Sequence, residues 1–136
     1  SMALLDRENA MIFVGDELES AQVIMNPSTP VPGVDFILDE RLRRHRDNML
    51  RLRGLLTEDT LIFPAHNGAP ISPEYLDDYI ALTEHICAGD AVIEDKLNHF
   101  YAEMGDPEHR LCRVRWKGAS FFVVKEELMR LYGTGL

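Results

Sequence analysis

Met11-Ile12-Phe13-Val14-Gly15-Asp16 is the stretch on which the reading of this chain turns. Its apolar run reads as a strand. Gly15 lets the backbone bend, so the Asp16 carboxylate arrives at a strand end, where sites are often built. Just upstream, Ala3-Leu4-Leu5-Asp6 is a second short apolar run. Between the two lies Arg7-Glu8-Asn9-Ala10, and its turn-prone Asn9 predicts a β-hairpin.

Working outward, residues 20–34 carry Asn26, Pro27, Ser28, Thr29, Pro30, Pro32 and Gly33. That is too much turn chemistry for a regular element, and it predicts an ordered loop bordering a cleft. Asp35 or Asp39 can cap a helix running to about Leu56, since Ile37, Leu38, Leu42, Met49, Leu50, Leu52 and Leu56 fall largely on one helical side. Thr60-Leu61-Ile62-Phe63 predicts a short strand ending at Pro64-Ala65-His66-Asn67-Gly68, a second polar group just past a strand end. Ser72-Pro73 predicts a capped helix start with proline at the first position, and Leu76, Tyr79, Ile80 and Ile86 form its apolar side up to Ala88-Gly89. A weaker helix is expected over Ala91–Met104, stopped by Gly105-Asp106-Pro107. Leu111–Trp116 and Ala119–Val124 flank Lys117-Gly118 as a tight hairpin, and Glu126–Tyr132 reads as a closing helix. No internal repeat or low-complexity tract interrupts this order.

A length of 136 residues suits one compact domain, and 46% hydrophobic with 27% charged residues is a globular composition. The net charge of −9 argues against a nucleic-acid partner. Against that balance, Arg41, Arg43, Arg44, Arg46, Arg51 and Arg53 make a local basic face, read as a solvated helix side paired with nearby acids. Cys87 and Cys112 have no metal-binding spacing and read as reduced thiols, consistent with a cytoplasmic protein. No stretch has the apolar length of a membrane span, and none has the pattern of a signal peptide.

The hairpin leading into Ile12-Phe13-Val14-Gly15-Asp16, followed about one helix later by Leu61-Ile62-Phe63-Pro64-Ala65-His66-Asn67-Gly68, resembles the C-terminal half of the metallo-β-lactamase superfamily. The resemblance covers roughly Ser1–Ala88 and includes the order of the helices. It implies an α/β fold, half of an αββα sandwich, in which one sheet with flanking helices occupies residues 1–89. A C-terminal extension of helix, β-hairpin and helix over residues 90–136 would pack on that half. It also implies that Asp16 bridges two zinc ions and that His66 is the last ligand of the second. A metal-held hydroxide in the complete site would then hydrolyse an ester, thioester, lactone, lactam or phosphoester of a small molecule. Two features depart from the family: Ala65 and Asn67 flank His66 where glycines are commonest, and the signature His-x-His-x-Asp-His is absent from the chain.

Two ligands do not complete a catalytic zinc site, which normally has three protein ligands and a water. This chain alone is therefore expected to bind zinc weakly and to be inactive. The remaining ligands would come from an N-terminal half in the same protein, making this chain a fragment, or from a second chain. A homodimer is the other solution to uncovered strand faces, with the Cys112–Val124 hairpin as cover. His45, His85 and His109 read as surface or packing residues, and His99 is the candidate for lining a substrate cleft. The alternative to an enzyme part is a non-catalytic binding or structural module that retains the half-fold.

Overall fold

The computed structural model describes residues 3–16, 18–19, 23–25, 38–66, 68, 70–94 and 111–133. Strands β1 (Leu4–Asp6) and β2 (Met11–Phe13) form the antiparallel hairpin predicted from their apolar runs, with Leu5 opposite Ile12. The Asp6 carboxylate closes the turn by accepting hydrogen bonds from the Asn9 backbone N–H at 3.1 Å and side-chain amide at 2.9 Å. Strand β4 (Leu61–Phe63) then lies parallel to β2, pairing Ile12 with Ile62 and Phe13 with Phe63. A backbone bridge between Ile62 and Ile71 covers its other edge. Among the described residues the order of this sheet is β1-β2-β4.

Strand alternation gives this sheet two unlike faces. Ile12 and Ile62 point into the core and are buried. On the opposite face Leu4 is 68% exposed, Phe13 and Leu61 are exposed, and the rings of Phe13 and Phe63 stack with centroids 5.1 Å apart.

The second sheet has the order β3-β7-β6-β5 among the described residues. Strands β6 (Leu111–Trp116) and β7 (Ala119–Val124) are the predicted C-terminal hairpin. Two members of this sheet correct the sequence reading. Val23–Ile24, expected within a loop devoid of regular elements, form β3 and pair in parallel with Phe121–Phe122 of β7. Val92–Glu94, expected to be helical, form β5, antiparallel to β6. Their conformation follows from the partner strand, because Ile93 lies opposite Val114, and Glu94 lies opposite Arg113. The Glu94 carboxylate takes hydrogen bonds from Arg113 Nε at 2.7 Å and pairs with Arg115 at 2.8 Å. Opposite charges across a strand pair favour that register. The rest of the predicted Ala91–Met104 helix lies outside the described residues.

Helix α1 (Leu38–Leu55) packs against α2 (Glu74–Ala88), α2 covers the β6–β7 hairpin, and the closing helix α3 (Lys125–Tyr132) packs on β7. No side chain caps the start of α2; the Ser72 carbonyl instead accepts the Tyr75 N–H at 3.2 Å. Gly89 ends α2 with φ of 77°, a left-handed conformation that glycine adopts without steric cost. The core joins Leu38, Leu42 and Met49 of α1 to Leu76, Tyr79, Leu82 and Ile86 of α2 and to the inner faces of both sheets.

The architecture is thus mixed α/β with two sheets. The C-terminal hairpin is no appendage, since β3 from the first part of the chain pairs with β7 from the last. Phe121, Phe122 and Val123 of the hairpin are buried within this core. No described helix is long and apolar enough to cross a membrane.

Candidate metal centre

Backbone register assembles the candidate site. Phe13 pairs with Phe63 at the carboxyl ends of two parallel strands, and the ladder continues one step further through the Val14 N–H to the Phe63 carbonyl at 3.0 Å. Asp16 lies three residues beyond Phe13 and His66 three residues beyond Phe63, so both side chains leave the same end of the sheet at the same height. They meet there, with Asp16 Oδ1 lying 3.2 Å from His66 Nδ1. The structure therefore brings together the two residues singled out from sequence, although 50 residues separate them along the chain.

A third group joins them. Glu19 is 2% exposed. Its two carboxylate oxygens accept the His66 backbone N–H at 3.1 and 3.2 Å, and Oε1 lies 3.1 Å from His66 Nδ1. The Glu19 backbone is anchored in turn, because its carbonyl accepts the hydroxyl of buried Tyr79 on α2 at 2.8 Å. Burial raises the Glu19 pKa above the ordinary carboxylate value, and the hydrogen bonds from His66 partly offset that rise. The outer side of the site is open, with the Asp16 side chain 79% and the His66 side chain 66% exposed.

Sequence reading missed Glu19. In Gly15-Asp16-Glu17-Leu18-Glu19 the two glutamates are locally alike, and the contact of Glu19 with His66 is tertiary. The burial of Leu18 is the nearest signal, since an apolar residue packed inward pins the segment beside it.

Asp16, Glu19 and His66 each offer one ligand atom, and these atoms lie within 4.8 Å of one another. Carboxylate and imidazole are both zinc donors. With zinc–donor distances of about 2.0–2.2 Å, tetrahedral donors stand roughly 3.3–3.6 Å apart, so the Asp16–His66 spacing is already close to that of a shared ion. The chemistry of the donor set fits a divalent metal.

The other histidines behave as their surface or packing readings predict where they are described. His45 is buried on α1 against Phe121 and Tyr79, with ring centroids 5.1 and 5.6 Å away. His85 stacks on Trp116 at 3.7 Å, its Nδ1 lying 2.7 Å from Asp90 Oδ1. His99 and His109 lie outside the described residues.

Beside Asp16 opens a cleft of about 370 Å³. Val23 of β3 and the adjoining Met25 line it together with Arg41, Arg44, His45 and Asn48 of α1. Asp16 belongs both to this cleft and to the carboxylate–imidazole cluster.

Comparison with protein families, with curated proteins and with solved structures finds no match to this chain.

Proposed function

We propose that Asp16 and His66 are metal ligands in a zinc-dependent hydrolase with a metallo-β-lactamase-like fold, and that this chain is the part of the enzyme that supplies them. The convergence of the two side chains to 3.2 Å, set by the pairing of β2 with β4, is the observation that carries the reading. Asp16 would take the bridging place, since a carboxylate offers two oxygens and a negative charge between cations. His66 would take the terminal place of the second ion. Glu19 holds the His66 backbone N–H with both carboxylate oxygens, and buried support of this kind fixes the position of a metal-binding histidine.

A metal bound here would supply Lewis acidity, lowering the pKa of a bound water to about 7 and polarising the oxygen under attack. Ligands beyond these two would come from another segment of the protein or from a second chain. The bare apolar face carrying Leu4, Phe13, Leu61 and Phe63 supports a need for such a covering element. The substrates suited to this chemistry are esters, thioesters, lactones, lactams and phosphoesters.

Zinc titration of the full-length or reconstituted protein by isothermal calorimetry tests the reading. The expected result is a saturable site abolished by Asp16→Ala and by His66→Ala, with the thermal midpoint of the metal-free protein nearly unchanged because both side chains are exposed. Absence of zinc binding, or binding indifferent to both changes, would overturn it in favour of a non-catalytic module.

A further inference from the structure

Two carboxylates converge on one nitrogen, His66 Nδ1. Asp16 Oδ1 lies 3.2 Å from it and Glu19 Oε1 lies 3.1 Å from it. A ring nitrogen carries at most one hydrogen, so a single N–H cannot serve both oxygens with good alignment. A cation placed among the three atoms serves all of them together.

The contacts of Glu19 leave one of its oxygens available for that role. Both oxygens accept the same His66 backbone N–H, Oε1 at 3.1 Å and Oε2 at 3.2 Å. One N–H needs one acceptor, so Oε2 alone can hold the backbone while Oε1, the oxygen that also faces the ring, takes a second partner. The carboxylate is fixed in advance as well, with its side chain 3% exposed and its backbone carbonyl anchored by Tyr79. Binding an ion therefore costs Glu19 little of the rotamer freedom that a solvent-exposed glutamate would lose.

We infer that Glu19 is itself a metal ligand through Oε1, joining Asp16 Oδ1 and His66 Nδ1 in a three-donor site supplied entirely by this chain. The inference rests on the proposed metal centre and deepens it by assigning the third ligand and the coordinating ring nitrogen. All three ligand atoms lie within 4.8 Å of one another, and the two spacings from Nδ1 fall just inside the roughly 3.3–3.6 Å of tetrahedral donors on one zinc. Three protein ligands with one position left open is the pattern of a catalytic zinc. The open position faces the exposed side of Asp16 and His66, where water or a substrate has access. With three donors of its own, the chain needs no further protein ligand for one ion, and a second ion still depends on ligands from elsewhere.

The test separates ligation from support by using Glu19→Gln, which keeps an oxygen for the His66 N–H and removes the negative charge. Zinc is titrated by isothermal calorimetry into the full-length or reconstituted protein and into this variant, and His66 amide exchange is followed in both. The expected result is zinc affinity at least about tenfold lower in Glu19→Gln, with His66 amide protection retained. Long-range proton–nitrogen-15 correlations of the His66 ring in the zinc-loaded parent should show Nδ1 as the coordinated nitrogen and the hydrogen on Nε2. Zinc affinity within about twofold of the parent in Glu19→Gln, or coordination through Nε2, would overturn the inference and leave the Asp16–His66 centre standing. Should the variant lose His66 protection, the ring nitrogen coordinated in the parent decides alone. A parent protein that takes up no zinc would overturn both the inference and the metal centre.

Discussion

Replacing Glu19 tests whether the site is held from behind. The carboxylate is 2% exposed, accepts the His66 N–H with both oxygens at 3.1 and 3.2 Å, and meets the ring Nδ1 at 3.1 Å. Hydrogen bonds to a charged group contribute about 1.5–3 kcal/mol each when buried. The partner ring is two-thirds exposed, and removing the carboxylate also recovers the desolvation cost that raises its pKa. Glu19→Ala should therefore destabilise the protein by about 1–2 kcal/mol, roughly 3–8 °C in thermal midpoint for a chain of this size. Glu19→Gln retains an oxygen to accept the His66 N–H and should stay within about 0.5 kcal/mol of the parent. Hydrogen exchange reads the local effect, since the His66 amide should be protected in the parent and the Gln variant and should exchange freely in the Ala variant. Zinc affinity should fall by about 10–100-fold in Glu19→Ala, the range typical of lost support behind a metal-binding histidine. An Ala variant with unchanged His66 protection, zinc affinity and thermal midpoint would refute the claim that Glu19 positions His66.

Three further outcomes follow from the same structure. Tyr79→Phe removes the donor to the Glu19 carbonyl at 2.8 Å and should cost about 1–2 kcal/mol in chemical denaturation, with His66 amide protection falling in parallel. The Asp6 carboxyl, held by Asn9, should titrate below its ordinary 3.8 in a carbon-13 NMR titration, and Asn9→Ala should bring it back up. Because this pKa is depressed in the folded state, the linked stability is present above 3.8 and is lost as pH falls through the folded value, so protection of the β1–β2 hairpin should decline in that acid window. Phe13→Ser combined with Phe63→Ser removes the stacked pair from the bare sheet face and should lower binding of a hydrophobic dye; undiminished dye binding would mean that the exposed apolar surface lies elsewhere.

Most elements were legible because their signals are local. The hairpin around Asn9, the one-sided apolar pattern of α1 and α2, and the runs flanking Lys117-Gly118 each carry their periodicity within a few turns or residues. Strand β3 was illegible because Val23–Ile24 become a strand only by pairing with Phe121–Phe122 at the other end of the chain. Strand β5 failed for a related reason, since Ala91-Val92-Ile93 suits either element and the choice falls to Val114 and Arg113 across the ladder. At the site, Asp16 and His66 announce themselves as polar residues closing apolar strands. Glu19 does not, since its burial and its contact with His66 are tertiary.

The division of labour within the cluster follows from burial. The parallel ladder through Phe13 and Phe63, prolonged by the Val14–Phe63 hydrogen bond, delivers Asp16 and His66 to one spot without requiring attraction between them. Their side chains are consequently left exposed and free to exchange a hydrogen bond for a ligand. Glu19 is the opposite case: nearly inaccessible, tied through its backbone to Tyr79 and through its carboxylate to His66. Burying that carboxylate is unfavourable in isolation, and its hydrogen bonds to His66 are what offset the cost. A rigid, partnered acid beneath two exposed donors keeps the outer groups in place while leaving their open side to solvent.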